Sequence, residues 1–298
     1  MRRADRPTDA VRRYLLIWFA VLPACPAQPA VARLGEVLFR NPALSGTGKI
    51  SCATCHVPHK SFTNGALSIG VLGTSVGHTP TLWAAGRAEK LPKLLQVGSP
   101  FQYPGHSLVT LEHRCLQPLR YKRGMGLPPE RAVARLRDLP DWPQRFDAAF
   151  DESGPGVTEV RIGRALATYI RSLQPPRSPF HDYRDRNLEN ALTPQERAGY
   201  TIFHLEKCGT CHSGRDFTDG LVHEVGRSWN LTSSLWDISR TGPYLRDGSA
   251  RNLGDAVRWH VEELINCKSA PISEPLHVEE VTSILLFLHT LSPRPKKR

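Results

Sequence analysis

Apolar positions along the chain fall into helical spacing in stretches that are cut apart by proline, glycine and asparagine. Leu34-Gly-Glu-Val-Leu-Phe39 forms one such stretch and runs into the turn-rich segment Asn41-Pro-Ala-Leu-Ser-Gly46. Val157 to Leu173 reads as a longer helix, stopped by Gln174-Pro-Pro-Arg-Ser-Pro179, which serves as a linker. Thr193-Pro-Gln-Glu196 is a capped helix start with proline at the first helical position, continued by Ala198-Gly-Tyr-Thr-Ile-Phe203. Two further helices are predicted over Leu253–Ile265 and Val278–Leu291. In the second of these, Val281, Ile284, Leu285 and Leu288 make one broad apolar face, which leaves His289 as a surface residue. No strand of convincing length appears, so the expected class is all-α. The two halves share a plan, a helix followed by a short loop and a cysteine motif, and the boundary falls near residue 180.

Glycine and proline together make 48 of the 298 residues, which suits short helices joined by long loops. Hydrophobic content of 40% and charged content of 22% exclude wholesale disorder, and the length allows two domains. Residues 1–32 read as a secretory leader. Arg2, Arg3, Arg6, Arg12 and Arg13 precede the apolar run Tyr14–Leu22, and Ala30-Val-Ala32 offers a small-residue cleavage site. That run is shorter than the roughly 20 residues a spanning helix needs. A retained anchor, or lipid attachment at Cys25 after Leu22-Pro-Ala, is the alternative, and the expected location is the periplasm. Net charge is +11, and loss of residues 1–32 removes five arginines and two aspartates to leave +8. A surplus of that size does not by itself point to nucleic acid. The basic surface instead allows an acidic protein partner. The tail Arg294, Lys296, Lys297, Arg298 adds to that charge or is a disordered end.

Cysteine spacing carries the chemistry. Cys52-Ala-Thr-Cys55-His56 and Cys208-Gly-Thr-Cys211-His212 are two copies of the c-type haem attachment pattern. Two thiols one helical turn apart reach both vinyl groups of a haem, and the adjacent histidine turns its imidazole to the iron as proximal ligand. A redox dithiol or a zinc site would not explain a histidine directly after both pairs. Cys25 belongs to the leader. Cys115 and Cys267 either pair or stand as two buried thiols.

Taken in order, several segments resemble the bacterial di-haem cytochrome c peroxidases and the related MauG proteins. They are Leu34–Phe39, Leu44-Ser-Gly46, Ser51–His56, Phe62-Thr-Asn-Gly65, Thr79-Pro-Thr-Leu82, Ser178-Pro-Phe180, Cys208–Gly214 with Phe217-Thr-Asp-Gly220, and Thr241-Gly-Pro-Tyr244 with Asp247-Gly248. The resemblance covers residues 33–292. It implies two cytochrome-c-like haem domains with long loops: a peroxidatic domain over 33–180 and an electron-transfer domain over 181–298.

The family divides at the second haem's far ligand, methionine in the peroxidases and tyrosine in MauG, and the matching place here is His260. Met1 and Met125 are the only methionines, and Met125 matches a residue flanking the first haem's pocket. The resemblance therefore implies bis-histidine ligation by His212 and His260; the competing reading makes His260 an ordinary polar residue of its helix. Where many of the peroxidases have a switchable distal histidine, this chain has Leu72. His59 is too close to the motif to swing over, so the first iron is expected to be open. Tyr103, in Gln102–His106, replaces a tryptophan lying between the haems, and Trp83 is a second candidate relay or core filling. The distal glutamine and glutamate fall on Arg114, a fixed cation, and Gly124, which has no acid–base capacity. Thr241 and Pro243 match carbonyl donors of a calcium site in which His78 stands for an amide, so calcium stays open.

The expected activity is a peroxide-dependent oxidation of a partner protein, as in MauG, which completes the tryptophan tryptophylquinone of a methylamine dehydrogenase precursor. The alternatives are hydrogen-peroxide reduction with electrons from a small cytochrome or cupredoxin, and non-catalytic electron transfer.

Overall fold

A computed structural model describes residues 30–87, 91–92, 108–150, 154, 156–206, 208–225, 228–265 and 276–295. The helices are α1 Ala30–Arg40, α2 Cys52–Cys55, α3 Leu111–Arg120, α4 Pro129–Asp138, α5 Trp142–Phe150, α6 Glu159–Ser172, α7 Pro179–Arg186, α8 Pro194–Leu205, α9 Cys208–Cys211, α10 Leu253–Ile265 and α11 Val278–Thr290. Their ends follow local chemistry. The Thr158 hydroxyl accepts the Arg161 N–H at 3.1 Å to start α6, and Leu173 followed by Pro175 and Pro176 ends it. At α8 the capping box closes in both directions: the Thr193 hydroxyl accepts the Glu196 N–H at 3.2 Å, and the Glu196 carboxylate accepts the Thr193 N–H at 2.7 Å.

Among the described residues the fold is helical with three two-stranded antiparallel ribbons: β1 Leu67–Ile69 with β2 Ser75–His78, β3 Leu91–Pro92 with β4 Leu108–Val109, and β5 Val222–Val225 with β6 Ser228–Leu231. Strands of two to four residues are too short to leave a period-2 signal, which is why the all-α expectation omits them.

Buried apolar side chains gather into two clusters. The first runs from Leu34 to Ile170 in sequence and is built on α1 packed along α6. The second runs from Phe180 to Leu291 and is built on α8 packed along α11. Each crossing is made close by a glycine. A Cβ on Gly35 would stand 2.0 Å from the Ala165 carbonyl oxygen, and a Cβ on Gly199 would stand 1.9 Å from that of Ser283. Four residues after each glycine an aromatic ring enters the core, Phe39 against Tyr169 at 5.2 Å and Phe203 against Phe287 at 5.2 Å. Trp83 packs against both clusters. No helix among the described residues is long and apolar enough to cross a membrane. The leader reading over residues 1–32 lies almost wholly outside the described residues, and α1 already begins at Ala30.

Because α8 cannot give way without moving α11, Gly199→Ala is expected to destabilise the protein by about 2–3 kcal/mol, the range for overpacking a tight core. Denaturant unfolding of the holoprotein checks it. A loss below about 0.5 kcal/mol, the level of an ordinary surface change, would show that the crossing relaxes freely.

Candidate haem centres

Each cysteine pair occupies a single helical turn, α2 or α9, and the following histidine closes that turn. The His56 N–H donates to the Cys52 carbonyl at 2.8 Å, and the His212 N–H to the Cys208 carbonyl at 3.0 Å. The chain then reverses so that a phenylalanine carbonyl meets the imidazole. His56 Nδ1 donates to Phe62 O at 3.1 Å and His212 Nδ1 to Phe217 O at 3.0 Å. Both phenylalanines sit in the left-handed region, at φ 58° and 52°, and both rings are buried. The carbonyls of Pro80 and Ser233 add a second backbone contact to His56 and His212 respectively. A carbonyl only accepts, so the proton lies on Nδ1 and the lone pair of Nε2 is left to face a metal.

Burial pushes both imidazoles down to about 4, against the pull of those carbonyls. Both are therefore neutral at pH 7, the form that ligates iron. Their surroundings then diverge. At His56 the Arg114 guanidinium of α3 adds to the lowering. At His212 the added lowering comes from His260 of α10, second only to burial. His260 is itself held low by burial, and its Nδ1 donates to the Ala256 carbonyl at 2.8 Å, so its Nε2 is turned out like those of the motif histidines. The charge of His260 is thus felt at His212, and that of Arg114 at His56.

The thiols fit covalent attachment better than redox exchange. Burial raises Cys52 and Cys208 to about 12 and raises Cys55 as well, whereas a dithiol exchange centre needs a depressed pKa. No disulfide joins Cys52, Cys55, Cys115, Cys208 and Cys211 to one another. Cys267 and its suggested pairing with Cys115 lie outside the described residues, as does Tyr103.

The other predicted residues take varied places. Leu72 is at the tip of the β1–β2 hairpin and 63% exposed, so it faces solvent. His59 is exposed and its carbonyl accepts from Arg240 at 3.2 Å. Gly124 belongs to a tight turn, donating to the Tyr121 carbonyl at 2.9 Å and accepting from the Val71 N–H at 3.0 Å. His289 is exposed on α11, in contact with the Ser239 hydroxyl at 2.9 Å. Thr241 and Pro243 flank the cis Gly242-Pro243 bond in a loop that meets the β1–β2 hairpin, where the His78 N–H donates to the Arg246 carbonyl at 2.8 Å. His78 Nε2 is buried without a partner. Calcium prefers oxygen donors, and the His78 imidazole is a poor substitute for the amide oxygen of the family's site.

Apart from Trp83, already a candidate relay or core residue, some residues of these centres left little or no sign in sequence. The phenylalanine carbonyls could have been suspected from the repeated Phe-Thr-x-Gly segment. Trp83 stacks edge-on against Phe62 at 4.9 Å and has its indole nitrogen buried without a partner. Beside Cys211, His223 Nε2 meets the Asp219 carboxylate at 2.6 Å. Asp237 is 1% exposed and accepts a short hydrogen bond from the Ser61 hydroxyl, which joins the second half to the loop that carries Phe62.

The donor set is that of a di-haem c-type protein: two neutral imidazoles, each behind two unoxidised thiols one turn apart. The chain belongs to the di-haem cytochrome c peroxidase family, whose model matches residues 29–189. It is accordingly a haem-dependent oxidoreductase. It is 31% identical over 357 aligned residues to the methylamine utilization protein MauG of Paracoccus denitrificans, covering 91% of this chain and 90% of that one. It is 26% identical over 293 residues to the cytochrome c551 peroxidase of Pseudomonas aeruginosa, covering 90% and 80%. In fold it is similar to a MauG-like protein associated with microbial copper homeostasis (TM-score 0.72, 24% identity, 89% of each chain). It is also similar to the diheme peroxidase BthA of Burkholderia thailandensis (TM-score 0.68, 18% identity, 89% of this chain and 86% of that one).

Burial raises the Asp237 pKa although Ser61 and Arg240 pull it down. A carboxyl whose folded pKa exceeds its unfolded value binds protons more tightly when folded, so its contribution to stability declines as pH rises through the folded pKa. Asp237→Asn keeps an acceptor for Ser61 and removes the charge. The thermal midpoint of the wild type should therefore fall relative to the variant as pH is raised through and above the ordinary carboxylate range, and parallel profiles would refute this.

Proposed function

We propose that each apolar cluster carries one haem c, bound through Cys52, Cys55 and His56 in the first and through Cys208, Cys211 and His212 in the second. On this reading the protein is a periplasmic peroxide-dependent oxidase of MauG type that takes electrons from a partner protein. The observation that carries it is the contrast between the two histidines, His212 paired with His260 and His56 with Arg114.

Haem iron supplies the redox chemistry: hydrogen peroxide takes two electrons and two protons to become two waters, leaving the protein two equivalents oxidised. The residues divide the supporting work. His260 completes a closed, bis-imidazole environment with His212, which favours the ferric state and a low potential. Among the described residues no second imidazole bears on His56, so peroxide would need to displace no strong ligand from them. Arg114 offers a permanent cation to an oxygen that gains negative charge. It cannot give up a proton near neutral pH, and Gly124 has none to give, so the protons come through water. Tyr103 is the proposed relay between the centres.

A second reading, reduction of hydrogen peroxide with electrons from a small cytochrome or cupredoxin, is supported by the similar identities to cytochrome c551 peroxidases. One stopped-flow experiment separates the two. The fully ferric protein mixed with hydrogen peroxide, without reductant, should change its high-spin and low-spin Soret bands together. A protein inert until half-reduced is a conventional peroxidase, and one inert in both states only transfers electrons.

The ligand assignment has its own check. Mass spectrometry should find two haem additions, one of which is lost in Cys208→Ala. His260→Ala should abolish the bis-histidine band in near-infrared magnetic circular dichroism, and an unchanged spectrum would remove His260 from the site.

A further inference from the structure

Where the 174–178 linker meets the second cluster, beside the second cysteine motif, lies a cavity of about 190 Å³ walled by Arg87, Arg177, Arg184, Arg215, His181 and Trp236. No carboxylate lines it. The acids that pair with these arginines lie behind them: Asp216 holds Arg87 at 2.5 Å, Asp182 holds Arg177, and Asp185 is shared between Arg184 at 2.8 Å and Arg215 at 3.2 Å. Three carboxylates therefore face four guanidiniums. Arg177 and Arg215 are the outermost, with side chains 60% and 67% exposed.

The floor is rigid and aromatic. Trp236 is 1% exposed, its indole N–H donates to Asp216 at 3.2 Å, the His181 ring stacks on it at 3.9 Å, and the Arg184 guanidinium lies 5.3 Å from its centre. His181 Nδ1 accepts the Ser178 N–H at 3.2 Å, so Nε2 carries the proton on a ring that lines the cavity. The floor also touches the second centre, because Trp236 meets Phe217 edge-on at 5.4 Å and the Phe217 carbonyl holds His212.

We infer that this arginine-walled cavity is the docking seat for a carboxylate-rich segment of a protein partner. Guanidinium forks recognise carboxylates bidentately, and the resident aspartates hold these forks in fixed directions. Those same aspartates, one of them shared with Arg186 at 3.6 Å, leave only a small excess of positive charge, too little to retain a small ion against water. Carboxylates spaced along one chain gain from their linkage, since each contact raises the effective concentration of the next. The net charge of +8 expected without residues 1–32, reduced but still positive with up to four haem propionates, would draw such a partner from a distance. A segment seated here meets the His181 ring that covers Trp236, and Trp236 in turn touches Phe217, whose carbonyl fixes His212. The inference rests on the proposed reading in that it needs a protein partner.

The test is calorimetric titration of the ferric holoprotein with a hexaglutamate peptide at low ionic strength, with inorganic phosphate and citrate as separate arms. Saturable binding of the peptide is expected, weakened at least tenfold by Arg177→Glu with Arg215→Glu. It should weaken less in Arg177→Lys with Arg215→Lys, which keeps charge and loses the fork. Lys49→Glu with Arg131→Glu, the same change in net charge elsewhere, should leave it near the wild-type value. Equal loss in the two reversed pairs would mean bulk charge alone, and phosphate or citrate binding as tightly as the peptide would mean a small-anion site; either result overturns the inference. Absence of peptide binding, as when haem propionates hold these arginines, overturns it as well. The peroxide reaction reports separately: its absence from a protein that binds the peptide would sink the proposed activity and leave the docking seat standing.

Discussion

The hydrogen bond from a motif histidine to a phenylalanine carbonyl is the constraint around which each half is organised. It requires the chain to turn back within five or six residues of the histidine, and it does so by placing Phe62 and Phe217 in the left-handed region, an unfavourable conformation for a residue with a bulky side chain. Each ring is buried in its cluster, and that packing offsets the strain. The outcome is an imidazole whose tautomer and direction are set by backbone atoms, which a side-chain substitution cannot easily displace.

From that shared unit the two centres diverge through what the rest of the chain brings to the far side. In the second half α10 presents His260, and in the first half α3 presents Arg114. One scaffold, used twice, thus brings a second imidazole to bear on one motif histidine and a guanidinium on the other. The elements between them are also not neutral spacers. Trp83 packs into both clusters, the Ser61–Asp237 bond ties the Phe62 loop to the second half, and Arg87 reaches across to Asp216 beneath Trp236. These contacts meet at the junction of the halves, where the arginine-walled cavity also lies.

Much of this was legible in the chain because it depends on spacing over a few residues. Cys-x-x-Cys-His needs one helical turn, the α8 capping box needs three residues, and the end of α6 needs a leucine shortly before two prolines. His260 stood out for a different reason, the shortage of methionine together with its match to the far-ligand position of the family the chain resembles. What tertiary structure alone decided are the contacts between residues far apart in sequence: Gly35 against Ala165, Gly199 against Ser283, Ser61 against Asp237, and the gathering of Arg87 with Arg177 and Arg215. A glycine that admits a neighbouring carbonyl and a glycine in a loop look alike in sequence, and an arginine that lines a cavity looks like one that faces water. Periodicity records which side of an element is buried, but not which distant element covers it; that depends on the packing of the whole chain.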